Sequence, residues 1–126
     1  MKTILSVTLT EVLELNYELI RRFGGKDDVR DLGLLESALM RPRTGRYKTL
    51  SLQVAALMQS LAQNHDFIDG NKRVAFATTA IFLRMNGFRL KVDPDEGESF
   101  LIDQVIRQEA SIEEIAAWLE KHRVPK

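Results

Sequence analysis

The chain contains no cysteine, which excludes disulfide staples, thiolate metal ligands and cysteine nucleophiles together. Its stability must therefore come from a core, and 126 residues suffice for one domain, 1–126, to bury a substantial one. Charge of one sign is not in excess. Lysine plus arginine number 18 and so do aspartate plus glutamate, so no overall positive field advertises nucleic acid or a membrane surface as a direct partner. Long apolar runs are also missing: none approaches the roughly 18 residues of a membrane span. Nor does Met1-Lys2-Thr3-Ile4-Leu5 lead into the apolar stretch of a signal peptide. A soluble cytoplasmic protein is expected. Hydrophobic residues at 44% and charged residues at 29% are ordinary for a globular chain and argue against disorder.

Helical spacing dominates what is present. Thr8 and Glu11 form the pattern of a capping box, with Val7 placed to staple onto Val12. Leu9, Val12, Leu13, Leu19, Ile20 and Phe23 then share one face, up to Gly24-Gly25, where glycine suits the helix end. Asp31 can cap a second, shorter helix with Leu32, Leu35 and Leu39 on one side and Pro42 as its limit. Arg41 to Leu50 is irregular, carries four cations around Gly45, and reads as a surface turn or small hairpin. A helix from about Leu50 to Asn64 follows, with an apolar stripe through Leu50, Val54, Leu57, Met58 and Leu61 that leads on to His65. The segment from about Asn71 to Asn86 is apolar nearly all round, as a buried helix is, and Gly87 ends it. Phe88, Leu90 and Val92 alternate with Arg89 and Lys91 as in a short strand. Asp93-Pro94 opens a helix to about Arg107, and Ser111 with Glu114 opens the last one, ending in Lys121, His122 and Arg123. The expectation is a single all-α bundle with a minor β element.

Between two of these helices lies His65-Asp66-Phe67-Ile68-Asp69-Gly70-Asn71-Lys72-Arg73, where an imidazole, two carboxylates, a carboxamide and two cations crowd together. A helix start has unpaired N–H groups at the positive end of its dipole, and Gly70 removes a side chain that would hinder a ligand's approach. Lys72 and Arg73 add cations there, which a helix N-terminus does not favour for its own stability. Their presence suggests an anion, and a guanidinium fork suits phosphate oxygens. Asp69 offers a hard oxygen to Mg²⁺, which needs only one or two carboxylates beside substrate phosphates. His65 is a candidate general base. Each feature also has a bland origin: a hydrogen-bonded core histidine, an ordinary Asp-Gly-Asn turn, a solvated Lys-Arg pair. One short loop holding all of them suits phosphoryl or nucleotidyl transfer, where catalysis is mostly positioning plus electrostatics.

That nine-residue stretch resembles the signature of the Fic/Doc superfamily, and its Asn71-Lys72-Arg73 ending resembles the Doc (death-on-curing) branch. Gly24-Gly25, Val29-Arg30-Asp31, Leu34-Leu35-Glu36-Ser37-Ala38, Arg41-Pro42 and Phe82-Leu83-Arg84-Met85-Asn86-Gly87 extend the resemblance over roughly residues 8 to 123. It implies a Fic-type bundle of about six helices with a small β-hairpin flap at residues 43–49, which would dock a target segment by strand pairing. It also implies ATP or another nucleoside triphosphate, with Mg²⁺. By the same resemblance His65 deprotonates a protein hydroxyl, Asp69 holds the metal, Gly70 and Asn71 form the anion hole, and Arg73 contacts phosphate. Lys72 stands where adenylyl-transferring members usually carry a second glycine, and Phe76 where they often carry another arginine. Both departures imply the Doc branch: a toxin of a toxin–antitoxin pair that phosphorylates a translation factor, elongation factor Tu being the expected substrate, and so arrests translation. In that reading Lys72 and Arg73 join His65 in the catalytic set. Gly70 departs the other way, since Doc has alanine there. Thr10 to Glu14 is followed by Leu15, which does not complete an inhibitory motif, so restraint is expected from a small Phd-like antitoxin. The alternatives are AMP transfer on the same scaffold, a catalytically silent nucleotide- or peptide-binding module, and a structural helical domain.

Overall fold

The computed structural model describes residues 4–24, 32–63 and 71–126, with the backbone alone at Phe23 and residues 71–73. Among these, six α-helices surround one core: α1 (Leu9–Phe23), α2 (Leu32–Met40), α3 (Leu50–Gln63), α4 (Asn71–Met85), α5 (Pro94–Ser99) and α6 (Ile112–His122). A 3-10 turn, Arg41–Thr44, follows α2, and α5 runs directly into a π-helical segment, Phe100–Arg107. Strands β1 (Phe88–Leu90) and β2 (Arg123–Pro125) pair antiparallel, with Arg89 opposite Val124. The all-α bundle with a minor β element is thus what the chain forms.

Local chemistry sets the helix ends. Thr8 Oγ1 accepts from the Glu11 N–H at 3.2 Å while Glu11 Oε1 accepts from the Thr8 N–H at 2.9 Å. Ser111 and Glu114 repeat the arrangement at 3.1 and 2.9 Å. Each box satisfies two donors that a helix start would otherwise leave open. Val7 and Val12 are both buried, as a staple requires. Asp93 caps α5 by accepting from the Asp95 N–H, with Pro94 in the first turn. Gly87 ends α4 at φ +90°, a backbone that L side chains resist. Beside it the Asn86 amide donates to Phe82 O and Leu5 O and accepts from the Leu5 N–H, tying the N-terminal segment to that helix end.

The core is built around α3, which is enclosed more fully than its apolar stripe implied: Ser51, Val54 to Met58 and Ser60 to Ala62 are all buried. The helix packs against α2, the 3-10 turn, α4, α6 and the π segment, and its alanines let these neighbours approach. On α4, Val74, Ala75, Thr78, Thr79, Phe82 and Leu83 are buried, but Phe76, Ala77, Ala80 and Ile81 are only partly so. On α2, Leu35 and Leu39 enter the core with Ala38, whereas Leu32, at the first helical position, stays 48% exposed.

Two further expectations move. The hairpin at residues 43–49 is absent. Arg41–Thr44 is a 3-10 turn, Gly45 takes φ +85°, and no strand follows before α3. The antiparallel pair sits instead at the other end of the chain, where β1 meets the residues after α6. The helix to Arg107 is present but changes winding at Phe100, as the five-residue Gln108 N–H to Asp103 O bond shows.

Candidate active site

Of the expected site residues, His65, Asp69 and Gly70 lie in 64–70, outside the described residues. Asn71, Lys72 and Arg73 form the first turn of α4. The structure therefore brings three of the six together on one helix start. Residues 64–70 run from the end of α3 to the start of α4, two helices packed against each other in the core.

The α4 start has the character that an anion site needs. Its first turn contains no acidic residue, so the positive end of its dipole is not neutralised from within that turn. One turn on, the helix is fixed by Val74 and Ala75, both fully buried, and by Phe76, whose ring lies against Gly97 of α5. A β-carbon built on Gly97 would come 2.7 Å from Phe76 Cζ. Glycine at 97 is what allows α5 to approach α4 here. Thr79 Oγ1 donates to Ala75 O at 2.7 Å, whereas the buried Thr78 hydroxyl has no hydrogen-bond partner among the described residues.

The end of α3 is held by side chains that sequence reasoning passed over. Gln59 and Gln63 donate to the carbonyls of Ala110 and Val105 at 3.0 and 2.9 Å, so they grip the π segment and the turn after it. Their four-residue spacing on an apolar helix was the available signal. In sequence Arg41 was one of four loop cations and part of the Arg41-Pro42 resemblance, with nothing to mark its partners. Its Nη1 donates to Ser60 Oγ at 2.7 Å and Gln59 Oε1 at 3.0 Å, with Ala56 O at 3.5 Å, and its Nε donates to the Tyr47 hydroxyl at 3.1 Å. The guanidinium thereby bolts the segment before α3 onto the last turns of α3, just upstream of His65.

The C-terminal part has its own polar features. Trp118 stacks on Phe100 at 4.0 Å and on His122 at 4.3 Å, and His122 Nε2 faces Glu96 at 3.3 Å. A groove of about 460 Å³ beside this stack contains none of the expected site residues. The Glu114 carboxyl titrates below its usual range, chiefly because the Ser111 backbone N–H and then its hydroxyl hydrogen-bond the charged form. Among the described residues no cluster of three metal-ligating side chains occurs, and no helix is long and apolar enough to cross a membrane.

Comparison with known proteins bears on the same stretch. The model of the Fic/DOC family matches residues 6–83, which takes in α1 to α3, the residues between α3 and α4, and α4 as far as Leu83. A protein of Mycolicibacterium smegmatis called Toxin Doc is 42% identical over 103 residues, covering 77% of this chain and 79% of its own length.

Proposed function

The chain belongs to the Fic/DOC family, and from that premise we propose that it is the toxin of a toxin–antitoxin pair. In this reading it is a cytoplasmic transferase that moves the terminal phosphoryl group of ATP to a hydroxyl of a translation factor, elongation factor Tu being the expected substrate. A small Phd-like antitoxin restrains it. The observation that carries phosphoryl rather than AMP transfer concerns Phe76. Where adenylyl-transferring members of the family often have a further arginine, this helix has a ring packed on Gly97, so that position is an apolar anchor and not a phosphate contact. Lys72, in place of a second glycine, supports the same choice.

The residues fit ATP and Mg²⁺: an acid-free helix start for the phosphates, two cations beside it, and one hard carboxylate in Asp69 for the ion. Bound there, Mg²⁺-ATP supplies the transferable phosphoryl group and neutralises charge on its oxygens. The chain does the rest. Asp69 holds the ion, the Gly70 and Asn71 amides and Arg73 bind phosphate oxygens, and Lys72 sets which phosphorus faces the acceptor. His65 takes the hydroxyl proton as the new oxygen–phosphorus bond forms and the bridging oxygen–phosphorus bond breaks. General-base action requires the hydroxyl within about 3 Å of the imidazole. His65→Ala is therefore expected to abolish growth arrest on expression while leaving the thermal transition unchanged. A well-expressed variant that still arrests growth contradicts the role of His65.

Gly70 favours a second reading, AMP transfer, because Doc itself has alanine there. Intact-mass measurement of the modified protein separates the two, since the adducts differ by the mass of AMP less phosphate.

A further inference from the structure

We propose that two copies of the chain pair about a two-fold axis, the basic β1–β2 ribbon of each lying in the acidic groove beside Trp118 of the other. Charge is balanced over the whole sequence but not within its last part. From Asp93 to Glu120 there are nine carboxylates and a single cation, Arg107. Residues 84–92 and 121–126, on either side, hold six cations and no carboxylate. Strand pairing brings these two flanks together. The β1–β2 ladder continues at both ends, from Lys91 N–H to His122 O at 2.8 Å and from Lys126 N–H to Gly87 O at 2.9 Å.

The ribbon has two faces. Phe88 and Leu90 pack against the core, and Arg123 lies over the Phe88 ring at 4.3 Å. Alternation turns Arg89 the other way, and Arg89, Lys91, Lys121 and Lys126 are all exposed. None of the four takes part in an ion pair among the described residues. The groove has the opposite character. Within its roughly 460 Å³, Phe100 and Trp118 supply aromatic wall and Glu96, Asp103 and Glu114 supply charge, and among the described residues no lysine or arginine lines it. Asp103 and Glu96 each face one donor, Arg107 Nη1 at 3.4 Å and His122 Nε2 at 3.3 Å, yet their side chains stay 50% and 59% exposed. A carboxylate so placed accepts further donors. Phe100, Asp103 and Gln104 of the groove belong to the π-wound segment, a winding that is rare and frequent at functional positions.

The two patches adjoin. His122 takes the Lys91 N–H on its carbonyl, stacks on Trp118 at 4.3 Å and turns Nε2 to Glu96. Neighbouring patches of opposite charge are self-complementary about a two-fold axis, because each copy presents both. A second copy satisfies ribbon and groove at once, whereas an acidic or a basic partner would satisfy only one. Zero net charge removes the overall repulsion that keeps like chains apart. Lysine and arginine stems can lie along the aromatic wall while their heads reach the carboxylates. This pairing is independent of which group the chain transfers.

Sedimentation equilibrium of the full chain tests it. Dimers are expected at roughly 20 mM salt, with the dissociation constant rising about tenfold by roughly 500 mM. R89E/K91E and D103K/Q104K should each be monomeric at low salt, because each sets like charges against one another. Mixed in equal amounts they should dimerise again. The acidic ribbon of the first then meets the basic groove of the second, and the unaltered patches still match. Should D103K/Q104K fail to fold by circular dichroism, Glu96→Lys takes its place. A wild-type chain that stays monomeric at low salt overturns the proposal, and so does a dimer that survives R89E/K91E. Failure of the mixture to dimerise overturns the pairing of ribbon with groove. A monomeric chain whose groove binds an oligolysine peptide would assign that groove to a basic partner instead, and overturn the proposal as well.

Discussion

Gly97→Ala probes the contact that seats α4 against α5. The added β-carbon would lie 2.7 and 2.9 Å from Phe76 Cζ and Cε2, against a comfortable carbon–carbon separation of about 3.5–4.0 Å. An overlap of roughly 1 Å cannot be absorbed freely, because Phe76 packs against the core and Gly97 is itself buried. Overpacking of this kind costs about 1–3 kcal/mol, and the better helix propensity of alanine returns up to about 1 kcal/mol. The net expectation is a loss of about 1 kcal/mol, or a fall in Tm of about 3–6 °C for a chain of this size. Thermal melts by circular dichroism measure it, and a double-mutant cycle isolates the cause. In a Phe76→Leu background the clash is gone, so Gly97→Ala should become neutral or stabilising, giving a coupling energy of about 1–3 kcal/mol. Equal effects of Gly97→Ala in both backgrounds would refute the account of why glycine stands there.

Other outcomes follow from the same geometry. Thr8→Ala or Ser111→Ala removes a capping box and should cost about 1 kcal/mol each in urea unfolding. Ser111→Ala should also raise the Glu114 pKa toward its ordinary value, which carboxyl NMR titration reads. Since the folded carboxyl is depressed, its favourable contribution holds above the ordinary carboxylate range and fades as pH falls through the lowered value. The stability gap between wild type and Ser111→Ala should therefore narrow in acid. Thr78→Val replaces a buried hydroxyl, unpartnered among the described residues, with a methyl of similar shape and is expected to be neutral or stabilising by about 1 kcal/mol. A loss well beyond that would mean the hydroxyl has a partner in solution.

What the chain revealed before folding was what depends on near neighbours. Both capping boxes span three residues, and Thr8 with Glu11 and Ser111 with Glu114 could be read directly. Gly87 and Asp93-Pro94 marked element ends for the same reason. Long-range partners were not legible. Nothing at Arg123 announced a strand, because β2 exists only through its pairing with Phe88 to Leu90, on the far side of α5 and α6. The flap was expected from a resemblance, whereas Arg41 reaching Gln59 and Ser60 on α3 holds that segment as a turn. Apolar periodicity also understated how far α3 is enclosed. It scores residue types, and the buried Ser51 and Ser60 made α3 look more amphipathic than it is. The site motif itself was plain in sequence, and α4 begins at Asn71, where its helical part was expected to start.

Incubation of the protein with cell lysate and ATP labelled separately at the α- and γ-phosphorus tests the central claim most directly. A protein acceptor is expected to take the γ label alone, and His65→Ala to transfer neither. Transfer of the α label to protein would contradict it and assign the chain to AMP transfer.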